Sequence, residues 1–271
     1  MERIKQALDK ARIEREVPNA PTQTATPSAR PSGPPITDEA IHYSQTKICK
    51  LDQSVLQHNR IIFGEQDRIG ITAYKMLRTQ VLQRMTLRGW NALAITSPAS
   101  EDGKTLTSIN LAISLARELH HTVLLVDMDL RNPSVHRYFG IQPEYGIGDY
   151  LLRGASMSDV LINPGIERLV LLPGRQAMQN SSEILASPAV GKLVHELKTR
   201  YPSRVVLFDL PPILSADDAL SFAPFVDAFL LVLRDGKTSR SELEHAMEIM
   251  KDATILGTVL NGSDDKISAY Y

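Results

Sequence analysis

Apolar residues gather into short runs separated by stretches of helical periodicity. The runs cover residues 92–97, 122–127, 168–172, 204–209, 228–233 and 255–260. Each is nearly continuous rather than alternating, the pattern of a strand buried on both faces. Between several of them apolar positions recur every three or four residues, over 104–119, 183–200 and 239–251, which predicts helices. Ahead of the first run, Ala73, Leu77, Val81 and Met85 fall on one helical face and predict a helix over 71–85. Strands alternating with helices predict an α/β fold: a mostly parallel central sheet with helices on both faces. The chain shows no internal repeat.

The first forty residues follow other rules. Residues 1–17 place Ile4, Leu8 and Ala11 (or Ile13) at helical spacing among Lys, Arg and Glu, predicting a short amphipathic helix that needs a surface to dock on. Residues 18–40 read as a Pro-rich disordered linker. Six of residues 18–35 are proline and none is Leu, Ile, Val or aromatic, so burial cannot offset the entropy of ordering. The folded domain is expected over 41–262, with the stretch up to residue 60 as an irregular lead-in, and residues 263–271 form a C-terminal tail.

Composition narrows the class. At 271 residues the chain is long enough to bury a core without staples. The formal net charge of -1 gives no global drive toward nucleic acid, and no nucleic-acid partner is expected. The single cysteine, Cys49, excludes an internal disulfide and a Cys-rich zinc site. Apolar stretches such as Phe229 to Leu233 fall far short of the ~20 residues a membrane helix needs, and the charged N-terminus has no signal-peptide apolar region. A soluble, cytoplasmic protein is expected.

The strongest chemical signal is Ile95-Thr-Ser-Pro-Ala-Ser-Glu-Asp-Gly-Lys-Thr105 followed by a helical segment. A strand enters a loop ending Gly-Lys-Thr and passes straight into a helix, as in a P-loop. Phosphate oxygens call for converging backbone N–H groups, a helix N-terminus and a cation. Ser100, Glu101, Asp102, Gly103, Lys104, Thr105 and Leu106 are therefore expected to hold nucleotide, with Lys104 on the β/γ-phosphates and the Thr105 hydroxyl on Mg²⁺. Pro98 stands where the motif has its first glycine. Gly-Lys-Thr occurs again at Gly236–Thr238, where no phosphate loop is evident. One β-α-β step later comes Val123-Leu-Leu-Val-Asp-Met-Asp-Leu-Arg131, putting Asp127 and Asp129 at a strand end, where open α/β sheets bind ligands. Two carboxylates so close call for a metal or cation between them. A third strand, Arg204-Val-Val-Leu-Phe-Asp-Leu-Pro-Pro212, ends in Asp209 and two prolines that force a turn, the form of a Walker B acid that holds Mg²⁺. The pair His120-His121 reads as a helix C-terminal interaction rather than a metal site.

As an ordered set, Gly103-Lys104-Thr105, Asp127-x-Asp129-x-Arg131 and Asp209-Leu-Pro-Pro resemble the bacterial tyrosine kinases of capsule and exopolysaccharide systems, P-loop proteins related to the MinD/ParA ATPases. Further matches are Arg131-Asn-Pro133, Leu172-Pro-Gly174, Ser182-Glu183-x-Leu185, Val232-x-Arg234-x-Gly236-x-Thr238 and Gly257-x-Val259-Leu260-Asn261. The resemblance covers residues 60–262. It implies ATP- and Mg²⁺-dependent tyrosine autophosphorylation controlling polysaccharide chain length and export. Lys104, Asp127, Asp129 and Asp209 would be the catalytic set, with Thr105, Asp127 and Asp209 on the metal and Asp129 near the accepting hydroxyl. Arg131 and Asn261 would contact nucleotide, Asn261 at the adenine. The acceptors would be Tyr270 and Tyr271 of the tail, phosphorylated in trans by another copy.

The partners implied are a membrane chain-length protein acting as activator, further copies of this chain and a cognate tyrosine phosphatase, with the kinase peripheral at the inner membrane. Two features depart from the family. The tail carries only two tyrosines, and Thr72 and Lys75 stand where the ring-forming helix has glutamate and arginine, so ring assembly is not expected. The alternatives are a MinD/ParA-like ATPase switch, whose signature lysine is Ala99 here, and a nucleotide-binding, non-catalytic scaffold of the polysaccharide export complex.

Overall fold

The computed structural model describes residues 46–63, 67–201 and 203–263. The expected N-terminal helix, the Pro-rich linker and the tyrosines of the tail lie outside them. Among the described residues eight strands form one sheet. In chain order they are β1 (Lys47–Ile48), β2 (Ala92–Thr96), β3 (Thr122–Asp127), β4 (Ile162–Asn163), β5 (Leu169–Leu172), β6 (Arg204–Asp209), β7 (Ala228–Arg234) and β8 (Ile255–Asn261). Their spatial order is β1-β4-β5-β3-β6-β2-β7-β8. The six strands expected from the apolar runs form the continuous parallel block from β5 to β8. The two-residue strands β1 and β4 extend it, β4 pairing antiparallel with β5.

Alternate residues of the central strands feed two cores. Leu93, Ile95, Val123, Leu125, Leu207 and Leu230 pack to one side. Ala92, Ala94, Leu124, Val126, Val206, Phe208 and Leu231 pack to the other. Burial on both faces explains why the runs are continuous rather than alternating. The long helices that cover these faces are α2 (Arg68–Thr86), α3 (Lys104–Ala116), α8 (Pro188–Thr199) and α10 (Arg240–Ile249). Between them in chain order lie the short helices α4 (Val135–Tyr138), α5 (Ile147–Arg153), α6 (Met157–Val160), α7 (Ser181–Leu185) and α9 (Asp218–Phe222).

Three expectations change. The helix expected over 183–200 is two helices, α7 and α8. Pro188 supplies no N–H and opens α8, while the Ser187 side chain accepts from the Val190 N–H at 3.4 Å, so the chain restarts there. The lead-in is also not irregular. It contains β1 and a helix, α1 (Gln53–His58), whose N-cap Asp52 accepts from the Ser54 N–H and whose Leu56 is buried in the first core. The pair His120–His121 lies in the turn beyond α3, whose C-cap is Arg117, rather than at a helix end.

Candidate active site

Strand β2 ends at Thr96 and hands the chain to the phosphate loop, where Pro98 has no N–H with which to extend a ladder. The loop start lies along the turn after β6 instead: the Thr96 hydroxyl donates to Pro211 O at 2.8 Å. Ile213 N–H donates to Ser97 O and Leu214 N–H to Pro98 O. Pro98 fits this extended stretch, where only its carbonyl is needed. The loop then closes on itself, with the Ala99 N–H donating to Asp102 Oδ2 at 3.0 Å. Gly103, at φ +94, is the left-handed N-cap of α3, a conformation suited to glycine. Lys104 and Thr105 therefore occupy the first turn of α3, where helix N–H groups favour an anion.

The acids arrive from neighbouring strands. Asp127 and Asp209 are register partners at the carboxyl ends of β3 and β6, and both are fully buried. Lys104 Nζ lies 2.8 Å from Asp129 Oδ2 and 3.7 Å from Asp209 Oδ2. The Thr105 hydroxyl donates to Asp209 Oδ2 at 2.7 Å, and Ser108 donates to Asp209 Oδ1 at 3.0 Å. Asp127 Oδ2 accepts from the Ser134 and Val135 N–H groups at 2.9 and 3.0 Å. Its other oxygen, Oδ1, is buried without a hydrogen-bond partner. Asp129 Oδ1 accepts from the Asn132 N–H at 3.0 Å.

Electrostatics follow from this packing. Burial pushes Asp127 up to about 7, with the Asp209 carboxylate adding to the rise and the Val135 N–H and Lys104 opposing it. Burial likewise raises Asp209, against Lys104 and the Thr105 hydroxyl. Burial works to lower the Lys104 pKa, but Asp209 and Asp129 outweigh it and hold the ammonium above its ordinary value. The centre is thus a set of buried acids with one buried cation, short of the positive charge that would balance them.

The orphan oxygen of Asp127, the Asp209 carboxylate and the Thr105 hydroxyl are hard oxygen donors of the kind Mg²⁺ takes. Among the described residues no group of three or more His, Cys, Asp or Glu could hold a metal ion. One or two carboxylates with phosphate oxygens and waters suit Mg²⁺ better than such a cage.

The structure brings Lys104, Thr105, Asp127, Asp129 and Asp209 together. Asn261, from the end of β8, donates Nδ2 to Asp102 O at 2.9 Å and so sits against the phosphate loop. Arg131 turns elsewhere: its Nε and Nη2 meet Asp218 Oδ1 of α9 at 2.9 and 2.8 Å, bracing its loop against the helix after Asp209. Glu101 is exposed and pairs with Lys237 at 2.7 Å. Sequence reasoning passed over Ser108 and Ser134. Ser108 had a signal, since it lies one helical turn beyond Lys104 and faces the same acid.

Comparison with known proteins adds independent findings. The family model described as CobQ/CobB/MinD/ParA nucleotide binding domain (CbiA) matches residues 93–266. Tyrosine-protein kinase YwqD of Bacillus subtilis is 31% identical over 211 residues, covering 77% of this chain and 88% of that protein. Tyrosine-protein kinase CpsD of Streptococcus agalactiae is 31% identical over 181 residues, covering 66% and 78%. Among solved structures, the kinase domain of Escherichia coli tyrosine kinase ETK superposes with a TM-score of 0.67 at 29% identity, covering 74% of this chain and 79% of that one.

Proposed function

We propose that this chain, which belongs to the bacterial tyrosine kinases of the CobQ/CobB/MinD/ParA nucleotide-binding family, is an ATP-dependent protein-tyrosine autokinase serving capsule or exopolysaccharide export. The observation that carries the reading is the convergence of Lys104, Thr105, Asp127, Asp129 and Asp209 at neighbouring strand ends beside a helix N-terminus. Asp127, Asp209 and Thr105 would hold Mg²⁺, which would supply positive charge against the phosphates.

Lys104 lies against Asp129 and Asp209. A triphosphate competes for that ammonium, and as Lys104 turns to the phosphates Asp129 is released. The free Asp129 carboxylate is then the acceptor for the proton of an incoming tyrosine hydroxyl. A phenol of pKa about 10 holds that proton at neutral pH. The phosphoryl group passes from the γ-position to the tyrosine oxygen, the proton passes to Asp129, and ADP leaves. Alignment and charge neutralisation carry most of the rate.

Tyr270 and Tyr271 are the proposed acceptors. The proposed partners are a membrane chain-length protein, further copies of this chain and a tyrosine phosphatase. Among the described residues no helix is long and apolar enough to cross a membrane, consistent with reaching the membrane through a partner.

The test is tandem mass spectrometry of the chain with Mg·ATP, alone and with an activator's cytoplasmic segment, beside Lys104→Met and a Tyr270→Phe/Tyr271→Phe variant. Phosphate on Tyr270 or Tyr271, lost in Lys104→Met, is expected. Nucleotide binding with no phosphotyrosine under either condition would overturn the kinase and leave a nucleotide-bound switch or scaffold.

A further inference from the structure

The second Gly-Lys-Thr of the sequence, Gly236–Thr238, is not a phosphate loop, yet it lies against one. Gly236 takes φ +67, and the Thr238 hydroxyl accepts from the Arg234 N–H at 2.7 Å. This tight turn at the end of β7 aims two cations at the outside of the first loop. Lys237 Nζ reaches Ser100 O at 3.4 Å and Glu101 Oε2 at 2.7 Å. Arg234 Nη1 reaches Glu101 O at 3.4 Å. Asn261 Nδ2 completes the row on Asp102 O at 2.9 Å. Three consecutive loop carbonyls, those of residues 100, 101 and 102, each meet a side-chain donor from the ends of β7 and β8.

The consequence follows from peptide geometry. The described chain has no cis peptide bond, and in a trans peptide the C=O and the next N–H point in opposite directions. Carbonyls 100, 101 and 102 held outward leave the N–H groups of Glu101, Asp102 and Gly103 facing away from these donors. That is the side on which successive N–H groups form an anion-binding nest. Glu101 strengthens the case. Its φ of +66 is a left-handed conformation that costs a non-glycine residue. Two cations, one on its carbonyl and one on its carboxylate, offset that cost.

We infer that Arg234 and Lys237 are positioning residues for nucleotide: they act on no phosphate themselves but hold the loop amides in their binding orientation. The inference rests on the nucleotide-binding part of the proposed function and is independent of whether the chain phosphorylates tyrosine. Each contact to a carbonyl is long, so the effect of one side chain is modest.

The test uses the full chain carrying Lys237→Met, Arg234→Met, and Lys237→Met combined with Glu101→Gly. The dissociation constant of Mg·ADP is measured by calorimetry, and amide hydrogen exchange over residues 100–103 is followed without nucleotide. Each single variant is expected to weaken binding by about threefold to tenfold, less than a full charge-assisted hydrogen bond because the carbonyl contacts are long, and to speed exchange in the loop. Glu101→Gly is expected to recover much of the loss in the Lys237→Met background, because glycine takes the left-handed conformation at no steric cost. Unchanged loop exchange in both single variants overturns the inference, whether or not nucleotide binds. So does a loss of affinity matched by general unfolding, or one that Glu101→Gly leaves unrescued. Failure of the unmodified chain to bind Mg·ADP, with exchange still altered in the variants, would strike the proposed function and not the clamp.

Discussion

At the scale of single residues, the site holds more acid than its surroundings balance. Asp127 is raised to about 7 by burial and by the adjacent Asp209, which is itself raised. An acid with a folded pKa above its unfolded value keeps its proton longer in the folded chain. Its contribution to stability is complete below the unfolded value of 3.8 and is lost as pH rises through the folded one. Lys104, held above its ordinary pKa, stays charged across this window and adds no slope of its own. The nucleotide-free chain is therefore expected to melt at progressively lower temperature from about pH 5 to about pH 8, and Asp127→Asn to flatten much of that slope. Thermal unfolding of both proteins across the range is the check; equal slopes would mean that Asp127 does not carry the strain. The convergence of Lys104, Thr105, Asp127, Asp129 and Asp209 was legible because each follows a strand at a fixed spacing. The contacts of Arg234 and Lys237 were not, since their partners on the phosphate loop lie 133 and 136 residues away. The Ser134 N–H, only 7 residues from its partner Asp127, belongs to a turn with no sequence signal of its own.

At the scale of elements, legibility tracked the length and burial of each segment. The six long apolar runs are strands because burial on both faces leaves little else for them to be. Strands β1 and β4, two residues each, carry no periodic signal; β4 forms on the edge that β5 offers and β1 on the edge of β4. The break between α7 and α8 was written in Ser187-Pro188, but the apolar period runs through it and masks the restart. Helix α1 is the clearest case of tertiary support. Its six residues are too few for stability alone, yet Leu56 is 1% exposed. Nearby, Asn59 donates to Tyr138 O at 2.8 Å and the Ile62 N–H donates to Asn110 Oδ1 at 2.9 Å, tying the lead-in to α4 and α3. Leu56→Ala is accordingly expected to cost about 3 kcal/mol in urea unfolding. A loss below about 1 kcal/mol, the scale of an ordinary surface change, would show that this lead-in is an accessory and not part of the core.

At the scale of the whole molecule, topology gathers the site. The chain leaves β2, skips past β6 to form β3, and later returns on the other side of β2 to form β7 and β8. Ligands of open α/β sheets bind at the carboxyl ends of strands where such an order reverses. Here that place receives the phosphate loop, both buried acids and the donors from β7 and β8. The same gathering leaves Asp127 and Asp209 side by side and fully buried, a placement that favours ligand over bare fold. A ligand that binds only the folded chain returns stability as its concentration exceeds the dissociation constant, about 2.7 kcal/mol at a hundredfold excess. In the proposed metal site Asp127 would hold Mg²⁺ as the ionised carboxylate, so binding would release the proton that it keeps below about 7. Mg·ADP is therefore expected to raise the melting temperature more at about pH 8 than at about pH 6, and Lys104→Met to lose most of the gain at both. Scanning fluorimetry at the two pH values, with and without Mg·ADP, makes the comparison. Equal gains would mean that the metal does not draw on Asp127, and the load on the acid pair would then need another explanation than nucleotide binding.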